Sequence, residues 1–150
     1  MKRYYFFLLA VVMSGVLMIA QNKPEKTLAN HRVVVTIPAL HGDRVVDYMM
    51  YLQKFFTILA FDKDAFDGQS IVAEQAMSVA HELWSICRYY GQYGAANLDL
   101  VKEKIETIVS QLPQKAALFK DPGFVARRQE INQVFHELIA LLRFRMEGNR

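Results

Sequence analysis

The chain has 150 residues, with 18 Lys and Arg against 15 Asp and Glu, 53% hydrophobic and 22% charged. That is one domain's length, too apolar for an intrinsically disordered chain, and seven Gly with four Pro exclude a collagen-like or Gly/Pro-rich segment. A single cysteine, Cys87, excludes an internal disulfide framework and any multi-cysteine zinc or iron–sulfur centre. The net charge of +3 points to no nucleic acid partner: without residues 1–20 only 16 basic residues face 15 acidic ones.

The N-terminus has the layout of a signal sequence. Met1-Lys2-Arg3 is followed by Tyr4 to Ala20, seventeen residues without a charge. A cut after Ala20 would put bulky Met18 at the −3 position, where a small residue is preferred. A cut after Ala29 has Thr27 at −3 but lies nine residues beyond the apolar stretch. As an uncleaved helix, the seventeen residues would span about 25 Å, at the short end for a bilayer core of about 30 Å. Tyr4 and Tyr5 suit the inner interface. No cysteine follows the apolar stretch to carry a lipid. Residues 1–20 therefore read as a signal anchor, with a cleaved signal peptide as the alternative. Lys2 and Arg3 on one side nearly balance Lys23, Lys26 and Arg32 on the other, so charge alone gives little orientation. Signal-type sequences lead to translocation, which places the body outside the cytoplasm. In a bacterium this is an inner-membrane protein with a periplasmic body, or an exported one after cleavage.

Residues 21–42 read as a linker and an extended arm. Gln21 to Asn30 is polar and contains Pro24. His31 to Pro38 is rich in β-branched residues and is the one strand candidate, ended by Pro38. One strand cannot form a sheet alone. The segment is expected to lie along the body as an arm, or to pair with a partner's sheet edge.

Residues 43–150 read as a helical domain. The first helix opens at Asp43, a suitable N-cap, with Val45, Met49, Leu52, Phe56 and Leu59 at helical spacing. Val46, Met50, Phe55 and Ile58 widen that face, as in a central helix or a dimer interface. The second runs from about Gln69 to Tyr90, with Val72, Ala76, Val79, Ala80, Leu83, Ile86 and Cys87 on its apolar arc and Gly91 and Gly94 as stops. The third runs from Asn97 to Leu112, before Pro113, with Leu98, Val101, Ile105, Ile108 and Val109 in one stripe. The fourth opens with Asp121-Pro122, an N-cap followed by proline at the first helical position, and continues to about Glu147. Ile131, Phe135, Leu138, Ile139 and Leu142 face inward. The expected fold class is all-α: an antiparallel four-helix bundle preceded by a membrane or signal segment and one short extended arm.

The second and fourth helices share a pattern at an offset of 55 residues. Val79/Val134, His81/His136, Glu82/Glu137, Leu83/Leu138 and Arg88/Arg143 are identical, and Gly68 and Gly123 also correspond. A duplicated helix pair and a shared amphipathic constraint both account for this. His81 and Arg88 are seven residues apart, nearly two turns, and stack on one side of the helix away from the apolar arc; His136 and Arg143 do the same. A buried haem or metal would want inward-facing ligands. Neither His-Glu pair extends to H-E-x-x-H, and there is no C-x-x-C-H. No nucleophile elbow, Gly-rich phosphate loop or kinase motif is present. Cys87, on the apolar arc, reads as an inert thiol.

The recognition candidate is Arg88-Tyr89-Tyr90-Gly91-Gln92-Tyr93-Gly94, whose arginine and tyrosines match the residues enriched in interface hot spots. Tyr90 falls on the apolar arc and is expected to be structural; Arg88, Tyr89 and Tyr93 are the candidate partner contacts. Arg127 and Arg128, two cations at a helix start, oppose the helix dipole. That mismatch marks a contact surface or is answered by a nearby acid such as Glu130 or Asp121. The sequence thus reads as a small membrane-anchored or exported envelope protein whose bundle binds another envelope protein or itself, as a possible homodimer. The membrane contact runs through residues 4–20, and no nucleic acid, metal or cofactor is called for. Two alternatives stand: a haem, metal or small-ligand sensor bundle using His81 and His136, and a small exported helical enzyme with no visible catalytic set.

Overall fold

A computed structural model describes residues 35–62 and 71–148. The chain divides into two units, Met1–Arg32 and Val33–Arg150, and every described residue belongs to the second. The expected signal anchor or signal peptide, residues 1–20, and the first half of the strand candidate, residues 31–34, lie outside the described residues. Among those described there are four α-helices and no strand, and short 3-10 turns lie between the second and third and between the third and fourth helices. They are α1 (Arg44–Ala60), α2 (Ile71–Tyr93), α3 (Leu98–Gln111) and α4 (Pro122–Gly148). No helix among the described residues is long and apolar enough to cross a membrane.

The helix starts follow side-chain capping. Asp43 has an extended backbone and accepts the Val45 N–H at 2.8 Å. Asp121 accepts the Phe124 N–H at 2.9 Å, with Pro122 first in the helix. A Cβ on Gly123 would lie 3.1 Å from the Asp121 Oδ1 and 3.3 Å from Leu59, so this tight corner suits glycine. Two expected boundaries move. α2 continues through Gly91 to Tyr93 and stops at Gly94, whose φ of +52° is the left-handed conformation glycine accepts. Asn97 makes no capping bond through its side chain, because the 3-10 turn Gly94–Asn97 already leads into α3. Residues 35–38 are irregular rather than a strand. Ile37 is nonetheless buried, and its carbonyl accepts from Arg44 Nη1 at 3.0 Å.

The apolar stripes meet in one core. Val45, Met49, Leu52 and Phe56 of α1 are fully buried with Leu83 of α2, Ile105 of α3, and Ile131 and Leu138 of α4. Phe56 stands at its centre, edge-on to Phe55 at 5.2 Å and 6.2 and 6.5 Å from the rings of Phe124 and Phe135. Such ring pairs contribute about 0.5–1.5 kcal/mol each beyond buried area. α1 packs most extensively on α2, and α4 packs on both α1 and α3. Polar ties fix the relative directions. Tyr90 near the end of α2 and Arg145 near the end of α4 both reach Asp43 at the start of α1, at 2.8 and 2.9 Å. Tyr48 donates to Glu137 at 2.8 Å, and Gln75 near the start of α2 accepts the Ala117 N–H beyond α3 at 3.1 Å.

The residues shared by α2 and α4 also share their environment. Val79, Leu83, Val134 and Leu138 are buried; His81, His136, Arg88 and Arg143 are exposed. Their partners differ, since Arg88 stacks on Trp84 while Arg143 pairs with Glu106 at 3.0 Å. What recurs is the amphipathic pattern, not a contact.

Candidate partner-binding surface

The outward side of α2 is built by helical spacing. Residues 81, 84, 85 and 88 return to nearly the same side every three or four positions, and the apolar arc through Val79, Leu83, Ile86 and Tyr90 points the other way. On this side the His81 and Trp84 rings are 6.5 Å apart, and the Arg88 guanidinium lies over the Trp84 ring at 5.5 Å. Trp84 is 47% exposed. Tyr89 and Tyr93 stand about 100° and 140° round the helix from Arg88, and their rings pack at 4.8 Å. Tyr89 is half-buried against the core, while Tyr93 is 55% exposed. Tyr90 turns inward as the arc requires and holds Asp43 together with Arg145.

Trp84 belongs to this surface although the sequence reading passed over it. The signal was present: it stands three residues after His81 and four before Arg88, off the apolar arc. Beside the stripe, a groove of about 530 Å³ runs between α2 and α3, with His81, Glu82 and Ser85 on one wall and Leu100, Glu103 and Lys104 on the other. Both signs of charge line it.

Arg127 and Arg128 do not join this surface. Arg127 reaches α1, donating to the Tyr51 hydroxyl at 2.7 Å and lying over the Phe55 ring at 5.1 Å, and it pairs with Glu130 at 2.6 Å. Tyr51 donates to the same Glu130 carboxylate. Arg128 lies over the Phe119 ring at 4.5 Å. The end of α2 meets α1 at Asp43, whereas Arg127 meets it eight to twelve residues further along, about 12–18 Å at 1.5 Å per residue. The five candidate contacts therefore fall into two separate places. The unfavourable position of Arg127 at a helix start is answered by Glu130, one of the acids the sequence offered. The hydrogen bond from Arg127 is the largest influence on the Glu130 carboxyl and holds it below the usual carboxylate range.

His81 and His136 sit on different helices, and both are exposed. They form no inward-facing pair. Among the described residues no group of three or more His, Cys, Asp or Glu side chains could hold a metal ion. Cys87 is half-buried rather than fully enclosed. Burial, and then the nearby Asp43 charge, push its thiol up, which makes it a poorer nucleophile at neutral pH.

Comparison of the chain with protein-family models, with curated proteins and with solved structures finds no match.

Proposed function

We propose that this chain is a small membrane-anchored or exported envelope protein whose body, an antiparallel four-helix bundle, is a protein–protein interaction module. The contact surface is the outer side of α2, centred on Trp84 and Arg88, with Tyr93 about half a turn round from Trp84 at the end of the helix. The observation that carries this reading is a solvent-facing Trp84 and Tyr93 with Arg88 laid across the indole. Tryptophan, tyrosine and arginine are the residues that dominate interface energetics, because they bury large rigid area while their polar tips stay hydrogen-bonded. Stacking already restricts Trp84 and Arg88, so less freedom is lost when a partner covers them. Tyr89 is the support of this surface, since it is packed between the core and Tyr93.

The test is photocrosslinking of the full chain in cells, with the photoreactive residue at position 84 or 93. A discrete adduct from both positions is expected, lost on Arg88→Glu and absent when the probe stands at Asn132, an exposed site on α4. Its mass separates a second copy from a different protein. No adduct from either position, or an equal adduct from position 132, overturns the proposal. Tyr93→Ala and Trp84→Ala are expected to change stability by no more than about 0.5 kcal/mol, the range of ordinary surface substitutions.

A further inference from the structure

A second surface lies on the outer face of α1, where a cleft of about 610 Å³ opens between two apolar walls. One wall is the segment before the helix, with Ile37, Pro38 and Leu40; the other is α1 itself, with Met50, Phe55 and Ile58. The first wall is fixed in place. Asp47 Oδ1 accepts the N–H groups of both Leu40 and His41 at 2.9 Å and the His41 ring at 2.8 Å. Both walls are accessible, since Leu40 is 75% and Ile58 58% exposed. The volume is within the range of about 300–1,000 Å³ typical of small-ligand sites.

The charges around the cleft sort by whether they are already answered. Asp47 is its one carboxylate; three donors occupy Oδ1, while the buried Oδ2 makes no hydrogen bond and has the Arg44 guanidinium 3.6 Å away as its counter-charge. Arg127 is bound to Glu130 and Tyr51. Lys54 is exposed and has no partner among the described residues. What the cleft offers is apolar surface beside one uncompensated ammonium.

We infer that this cleft binds an aliphatic carboxylate, with the hydrocarbon chain between the Ile37–Leu40 wall and α1 and the carboxylate on Lys54. Each methylene removed from water adds to affinity, and the lysine stem can lie along the apolar wall while its head stays at the rim. Charge argues against the other occupants. Residues 1–34 carry five Lys and Arg against one Glu, the same sign as Lys54. A second copy docked face to face would bring two Lys54 ammoniums to one apolar contact. A different protein would need about 800 Å² per partner for a standard interface, more than a cleft of small-ligand size provides.

The test uses the full chain in phosphatidylcholine nanodiscs and a diazirine-bearing dodecanoate as the photoprobe, with adducts mapped by mass spectrometry. Labelling of the segments containing Leu40, Met50 and Ile58 is expected, competed by dodecanoate and not by dodecylammonium. Lys54→Glu is expected to weaken labelling about fivefold or more. Ile58→Asp, at an exposed helix position that leaves the fold intact by circular dichroism, weakens it as well. Lys104→Glu on α3 leaves it unchanged. Adducts confined elsewhere, equal competition by dodecylammonium, or undiminished labelling of Lys54→Glu overturns the inference. So does crosslinking of Lys54 to Lys23 or Lys26 in the ligand-free chain, which would assign the cleft to the chain's own N-terminal segment, or of Lys54 to a second copy.

Discussion

At Asp47 a single carboxylate oxygen serves three donors from the segment before α1. Burial pushes this carboxyl up, but the His41 ring and the two backbone N–H groups outweigh it and hold it below the usual carboxylate range. A carboxyl depressed in the folded state stabilises the fold above its unfolded range, near about pH 4, and loses that contribution as pH falls through the folded value. Asp47→Asn is therefore expected to melt lower than the native chain at pH 7, with the gap closing below about pH 4. Melting curves across pH check this; a gap that stays constant down to pH 2 would mean the charge is irrelevant. The sequence signalled Asp43 as a cap from its place before an apolar run. It carried no comparable signal for Asp47, because the partners at Leu40 and His41 depend on how the arm folds back.

Among the elements, α2 gives the sharpest contrast between two glycines. Gly91 is helical, and a Cβ there meets nothing within 4 Å; Gly94 has positive φ and ends the helix. Gly91→Ala is expected to stabilise by about 0.5–1 kcal/mol by restricting the unfolded chain. Gly94→Ala is expected to cost about 1–2 kcal/mol, because an L side chain is strained in the left-handed region. Denaturant melts of the two variants check both signs. Sequence spacing alone could not separate the two, since both follow a helical run, and only the backbone conformation decides. For α3 the stripe was legible throughout. Ile105 is fully buried, so Ile105→Ala is expected to cost about 2–5 kcal/mol by denaturant unfolding. A loss under about 0.5 kcal/mol would mean that α3 is not held by this stripe.

For the whole molecule, mass spectrometry of the mature chain reads whether residues 1–20 are retained. With Met18 at −3, residues 1–20 are expected to remain attached to the mature chain. A mature N-terminus at Gln21 would make the protein a released one, and would remove the membrane contact through residues 4–20 from the function proposed above. The exposed stripe on α2 and the cleft on α1 are independent of that outcome, because both are built entirely from residues 37–127.

The sequence by itself determined the four helices and the centres of their inward faces, though Ile58, expected on the inward face of α1, is 58% exposed. Apolar residues at a period near 3.6 must share one side of a helix, and that side must leave water, as Val101, Ile105 and Ile108 do on α3. It also determined the caps at Asp43 and Asp121, whose bonds reach only two or three residues along the chain. Tertiary structure decided which outward residues meet. Arg88, Tyr93, Arg127 and Arg128 look alike as exposed polar or aromatic positions, yet packing sends Arg127 across to Tyr51 and Phe55 of α1, whereas Arg88 stays on Trp84, four residues back on its own helix. The cleft on α1 likewise joins residues that only folding sets side by side. Periodicity is a property of one helix, whereas these contacts depend on the distance between two.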